Sequence, residues 1–216
     1  SATNGTDQAW GGNRARPDLV KKFFPNGNVP NLESYATAEA AGDDRALFNG
    51  VNRTLDNDDV STFKSGFGVA KFTNFKTDGS AGHDATFPDA DFFLMRAAEA
   101  YLNFAEADAR LHGDQTTEEG TAAINAIRKR AHASTREDRG YSLSDICDEW
   151  SREFYFEGRR RMDLIRFNRY GGNVNYNWQW KGGTKEGRNF SKDLNIFAIP
   201  TNELTSNKNL IQNPGY

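Results

Sequence analysis

Apolar positions follow no sustained period over the first 88 residues, and from Asp89 onward they do. In ADFFLMRAAEAYLNFAEADARLHG, Phe93, Ala97, Ala100, Tyr101, Phe104 and Ala107 fall three or four apart and Gly113 stands just beyond, a spacing that predicts a helix. A second helix is predicted from Thr117 to about Ala133, with Thr116 and Glu119 at capping-box spacing and Ala123, Ile124 and Ile127 on one face. The short link between them makes a helix hairpin. Ser142 with Asp145 then reads as the opening of a third helix, running to about Asn168 and closed by Gly171 and Gly172. Ile146, Trp150 and Phe154, four apart, give it an apolar stripe.

The flanks are different in character. Residues 1–88 are rich in Gly, Asn, Asp and Thr, with a helical turn or two expected over 17–24 and extended pieces around 45–51 and 63–76. At the other end, LNIFAIPTNELTSNKNLIQNPGY carries Leu194, Ile196, Phe197 and Ile199, then Pro200 to halt the extended run and Thr201 with Glu203 to open a short turn. That segment is expected to dock against the third helix with Phe197 buried, while Asn and Gln side chains satisfy its backbone groups. The organisation predicted is one mainly α domain over 1–216: a loop-rich part at 1–88, a helical part at 89–170 and an extended segment at 171–216.

Composition narrows the classes. The 216 residues are 37% hydrophobic and 12% aromatic, enough for a core, and the net charge of −3 mixes both signs. Such a chain has no bulk attraction to phosphate backbones, which argues against a nucleic-acid partner. No apolar run approaches the roughly 20 residues of a spanning helix, and SATNGTDQAWGG has neither the basic start nor the apolar stretch of a signal peptide. Cys147, the single cysteine, cannot form an intrachain disulfide and reads as a small core residue.

The densest mixture of charged and apolar side chains is REFYFEGRRRMDLIRF, residues 152–167. Glu149, Glu153 and Glu157 stack four apart beside the apolar stripe, and Arg152, Arg160 and Arg161 are near enough to neutralise them, Glu157 preceding Arg161 in the favourable order. A hydrolase would place two carboxylates across a cleft on separate elements, one in an apolar setting. Carboxylates on one helix face fit an ion-pair network tying the helix to its neighbours better. His83, His112 and His132 have no metal spacing. LDNDDVSTF starts like a calcium loop with Asp56 and Asp58, but Ser61 stands where Gly is required and Phe67 where Glu is required, so no cofactor is expected beyond a loose calcium site.

The order FFLMRAAEAYLNFAEA, AINAIRKRA, EWSREFYFEGRRRMDLIRF and LNIFAIPTNELTSNKNLIQNPGY resembles the C-terminal portion of the SusD/RagB family, with GNRARPDLVKKF, GDDRAL and FGVAKF upstream in the family's order. One departure is Trp150, which follows Glu149 where the family usually has Arg. The resemblance implies tetratricopeptide-like helix pairs with a large irregular remainder and few short strands. It also implies a non-enzymatic lipoprotein on the cell-surface side of the outer membrane, anchored through a preceding part of the chain. Such a protein holds oligosaccharide over a SusC-like TonB-dependent transporter. Members of the family are longer than this chain, so the N-terminal half of the family domain is expected as a partner covering an otherwise exposed helical face. A helical-repeat adaptor that binds protein is the alternative reading, and a glycoside hydrolase the third.

Sugar sites combine aromatic rings, which stack on the C–H face of a pyranose, with planar polar groups. Two stretches qualify. In NYNWQWKGG an extended strand would set Tyr176, Trp178 and Trp180 on one face at roughly 7 Å spacing, as a sugar platform or as a strand burying its aromatic face. In AWGGNRARPD, Trp10 stands beside Asn13 and Arg14 in the loop-rich part.

Overall fold

The computed structural model describes residues 4–7 and 11–216. The chain forms two compact units, Ser1–Gly158 and Arg159–Tyr216. The boundary falls inside the stretch read from sequence as one continuous helix.

In the first unit the order is strand β1 (Arg14–Ala15), helix α1 (Pro17–Val20) continued by a 3-10 turn to Phe23, helix α2 (Ser34–Ala41), strands β2 (Phe48–Asn49) and β3 (Phe67–Val69), then helices α3 (Ala97–Leu111), α4 (Glu118–Arg130) and α5 (Leu143–Phe154). The strands form an antiparallel sheet in the order β1-β3-β2, with Ala15 opposite Phe67 and Phe48 opposite Val69. Its core joins Ala15, Val20, Phe23, Phe48, Phe67 and Tyr155. Phe23 meets Phe48 edge-on at 5.6 Å, and the Tyr155 hydroxyl donates to the Arg45 carbonyl at 2.7 Å, so the one polar atom of that ring is satisfied. Helix α2 had no counterpart in the periodicity. Its SYATAEAA sequence is alanine-rich, which favours helix without marking a face, and Gly42 ends it in the left-handed region at φ 60°.

Helix α3 packs on α4 and α5. Ala98, Leu102, Ala105 and Ala109 of α3 meet a layer that contains Ile124, Ile127, Ile146, Cys147 and Trp150, all buried. Gly120 lets the hairpin close: a Cβ there would lie 2.1 Å from Asp108 Oδ2, the carboxylate oxygen that accepts the Thr117 N–H at 2.6 Å. The expected cap of α4 is therefore displaced. Thr117, not Thr116, occupies the N-cap, and Asp108 from α3 satisfies its N–H in place of a local capping box. The Ser142–Asp145 capping box of α5 is present in full.

The periodic face of α3 is the one that stays in solvent. Tyr101, Phe104 and Leu111 are exposed, as are Phe92, Phe93, Leu94 and Met95 ahead of the helix, the last two at 84%. Thus α3 is apolar on two sides and only the alanine-rich side is covered.

The predicted third helix is two helices. Tyr155 turns out of α5 at ψ 141°, Phe156 and Gly158 take left-handed φ of 61° and 78°, and helix α6 (Arg160–Arg166) begins the second unit. Burial of the Tyr155 ring in the sheet core sends the chain away from the helical path, and Gly158 accepts the reversal without a Cβ. Beyond α6 the second unit is irregular, with 3-10 turns at Lys181–Gly183 and Lys192–Asn195 and helix α7 (Thr201–Ser206). Gln212 donates from Nε2 to the Ile199 carbonyl at 3.0 Å and accepts from the Ile199 N–H at 2.8 Å, and Asn213 donates to the Phe197 carbonyl at 2.8 Å. The expectation that Phe197 is buried is wrong. It is 71% exposed, with the Arg161 guanidinium 4.0 Å from its ring centre, and the C-terminal segment is held by the Gln212 and Asn213 amide hydrogen bonds instead of by that side chain.

Candidate functional site

Three places gather the chemistry-bearing residues. On α5, Glu149 is buried and accepts from three guanidinium groups: Arg45 at 2.8 Å, Arg128 at 2.7 Å and Arg152 at 2.7 Å. Glu153, also buried, accepts from Arg45 at 3.0 Å, Arg130 at 2.6 Å and Arg96. Glu157 pairs with Arg96 at 2.8 Å and with Lys71. Arg45 is itself held by Asp43 at 2.7 Å, so it bridges three carboxylates.

Burial alone would raise the pKa of each glutamate, but the surrounding cations outweigh it. Glu149 is driven far below the carboxylate range by Arg152, Arg45 and Arg128. Glu153 is held at about 2 by Arg130, Arg96 and Arg45, and Glu157 is lowered by Arg96 and Lys71. None of the three is kept protonated near neutral pH, the state a general acid requires. An open depression of about 350 Å³ lies over this network, lined by Arg45, Lys71, Arg96, Arg130, Glu153 and Glu157 among others. Each of those charged groups already has a partner of opposite sign.

Of the network residues named from sequence, Glu149, Arg152, Glu153 and Glu157 are in place, whereas the single helix that the i,i+4 pairing of Glu157 with Arg161 presupposes is absent, α5 ending at Phe154 and α6 starting at Arg160. The helix break removes the spacing, and Arg161 instead donates to the carbonyls of Leu194 and Asn195. Arg160 donates to the Tyr176 hydroxyl at 2.7 Å. The cations missed from sequence are Arg45, Lys71, Arg96, Arg128 and Arg130. The RKR run of α4 and the arginine of GDDRAL were visible, but nothing local shows that Arg45 reaches a glutamate 104 positions away. Trp150, where the family pattern has arginine, donates from Nε1 to Glu106 Oε2 at 3.0 Å and is fully buried.

The second place is the aromatic stretch of the second unit. Tyr176, Trp178 and Trp180 do not form a strand with one shared face. Trp180 takes a left-handed φ of 69°, Tyr176 meets Trp178 edge-on at 6.2 Å, and Trp178 stacks on Tyr170 at 6.1 Å. The organiser is Lys181, 1% exposed, whose ammonium donates to the Asn173 carbonyl at 3.0 Å and to the Tyr176 carbonyl, and lies 4.7 Å from the Trp178 ring centre. Its burial lowers its pKa. The alternation of rings with polar residues therefore wraps a buried cation; it does not build a flat platform.

The third place is the loop-rich part. The Arg14 guanidinium donates to the carbonyls of Val60 at 2.9 Å, Ser65 at 2.8 Å and Thr62, which fixes the 60–65 loop. Asn13 is exposed. Trp10 lies outside the described residues. In the stretch read as a degenerate calcium loop, Asp59 accepts from the hydroxyls of Ser61 and Thr62 at 2.6 Å each. Among the described residues no three His, Cys, Asp or Glu side chains are grouped to hold a metal.

A helix hairpin closed by a charged third helix, with a small sheet on one flank and an aromatic irregular unit following, defines a mainly helical scaffold whose polar chemistry is structural wherever it is most concentrated. The chain belongs to the SusD family, whose sequence profile matches residues 22–216. It is similar to the starch-binding protein SusD of Bacteroides thetaiotaomicron, with 38% identity over 98% of this chain and 43% of that protein. Its fold is similar to that of a SusD-like protein from Bacteroides fragilis, at a TM-score of 0.61 and 21% identity over 100% of this chain and 49% of the other. A surface glycan-binding protein A from Bacteroides uniformis aligns at a TM-score of 0.50 and 25% identity over 68% of this chain and 32% of that one. The chain thus spans less than half the length of these relatives.

Proposed function

We propose that this chain is part of a cell-surface protein that binds oligosaccharide without cutting it and delivers it to a SusC-like TonB-dependent transporter in the outer membrane. The observation that carries the reading is family membership over nearly the whole chain, with a starch-binding relative at 38% identity. The glutamates support the non-catalytic part, since cations hold all three ionised. Among the described residues no helix is long and apolar enough to cross a membrane; on the family reading, attachment to the outer membrane is assigned to a lipid anchor on another part of the protein. The uncovered face of α3, with Tyr101, Phe104 and Leu111, is assigned to the remainder of the family domain, because a helix-pair repeat cannot bury both sides of an inner helix alone. Within the glycan reading, Trp10 and the exposed Asn13 are the ring and amide of the loop-rich part that contact sugar.

Native electrophoresis in gels cast with soluble starch or another polysaccharide tests this. Migration is expected to be retarded in at least one such gel, and Trp10→Ala to restore part of the mobility. Equal mobility in every polysaccharide gel, by protein with an intact cooperative melt, would contradict glycan binding.

A further inference from the structure

The second unit holds an open cleft of about 600 Å³, lined by Tyr170, Gly182, Arg188, Asn189, Phe190 and Leu194. That volume lies in the range of small-ligand sites, about 300–1,000 Å³. Its polar groups differ from those over the α5 network in being free. The Asn189 amide, the Tyr170 hydroxyl and the two terminal nitrogens of Arg188 have no hydrogen-bond partner among the described residues. The base of Arg188 is nevertheless fixed. Its N–H donates to the Lys181 carbonyl at 2.8 Å and its Nε to the Gly182 carbonyl at 3.2 Å. Gly182 makes this crossing possible: at φ 62° a Cβ would lie 2.6 Å from the Arg188 carbonyl oxygen and 2.8 Å from Arg188 Cγ. The rings are set as well, Phe190 meeting Tyr170 edge-on at 5.0 Å and Tyr170 stacking on Trp178.

An anchored guanidinium fork, a carboxamide and a phenol beside two half-buried rings offer donors and acceptors to vicinal hydroxyls and apolar surface to ring C–H groups. We infer that this cleft is a saccharide subsite that takes pyranose units of an oligosaccharide. The inference rests on the glycan-binding reading above and assigns saccharide contacts to residues of the second unit.

The test titrates the purified protein with maltoheptaose, laminarihexaose, xylohexaose and mannohexaose, then repeats the series with the double variant Arg188→Ala/Asn189→Ala. Both side chains are exposed, so an unchanged thermal melt is expected and is checked first. For the oligosaccharide that binds, the double variant is expected to weaken affinity at least about fivefold, the loss of one or two net hydrogen bonds. The side-chain amide resonance of Asn189 is expected to shift on titration. Unchanged affinity and an unmoved Asn189 resonance, for an oligosaccharide that does bind, would overturn the subsite and leave glycan binding standing. Failure of all four to bind would overturn both.

Discussion

Glu153 is a buried carboxylate held among Arg45, Arg96 and Arg130. Removing one partner of such a cluster leaves uncompensated charge in the interior, and Glu153→Ala is expected to destabilise the protein by about 3–5 kcal/mol in chemical denaturation. The same residue sets an acid limit. Its pKa falls on folding from the ordinary 4.5 to about 2, so the folded state binds its proton less readily than the unfolded chain. Its contribution is therefore fully present above about pH 4.5 and drains away as the pH falls toward 2. The acid unfolding midpoint of Glu153→Ala should consequently be less steep in pH than that of the parent. A parallel pH dependence in parent and variant would remove Glu153 from the acid response. Glu149 and Glu153 were legible in the sequence because four-residue spacing sets them on one face of α5, whereas Glu157 reaches its cations from the turn beyond the end of that helix. Most partners of the three were not legible, since five cations arrive from the loop before β2, the segment after β3, the α3 entrance and α4, positions that only the tertiary fold assembles.

Elements carry the next set of consequences. Helix α3 has one covered and one uncovered apolar side, and the two should answer mutation differently. Leu102→Ala, at a site with no exposure, is expected to cost about 2–5 kcal/mol. Phe104→Ser, on the open side, should stay within about 0.5 kcal/mol in this chain. Equal losses would mean that the open side is covered after all. Periodicity alone located this helix through the large residues Phe93, Tyr101 and Phe104, and left unmarked the small alanines that meet α4 and α5. The break between α5 and α6 is the other lesson at this scale. Every residue from Arg152 to Phe167 is compatible with helix except Gly158, and a lone glycine in a helical pattern is ordinarily tolerated. What ends α5 is the long-range burial of Tyr155 in the sheet core, which no local pattern encodes. A Cβ at Gly158 would meet nothing closer than Phe92 Cζ at 3.8 Å, so Gly158→Ala isolates the backbone cost of φ 78°. A loss of about 1–2 kcal/mol in the urea midpoint is expected. A neutral effect would show that the left-handed turn is not required.

For the whole molecule, the class of protein was legible because the motifs of the helical part and the tail follow one another in the family's order, and the family profile covers residues 22–216. The place of ligand contact was less so. Alternation alone read Tyr176, Trp178 and Trp180 as an extended strand, either a sugar platform or a buried aromatic face, yet a buried Lys181 draws their segment into a turn, and the free polar groups lie further on, at Arg188 and Asn189. Concentrated charge marks structure in this protein, and a sugar site is to be sought where donors remain without partners. The central claim is binding without cleavage, and isothermal titration of soluble starch and the oligosaccharide panel, with size analysis of the ligand recovered from the calorimeter cell, tests it most directly. The account predicts saturable heat with at least one glycan and recovery of that glycan at its original chain length. Saturable binding accompanied by progressive shortening, abolished by substitution of a single carboxylate, would contradict it.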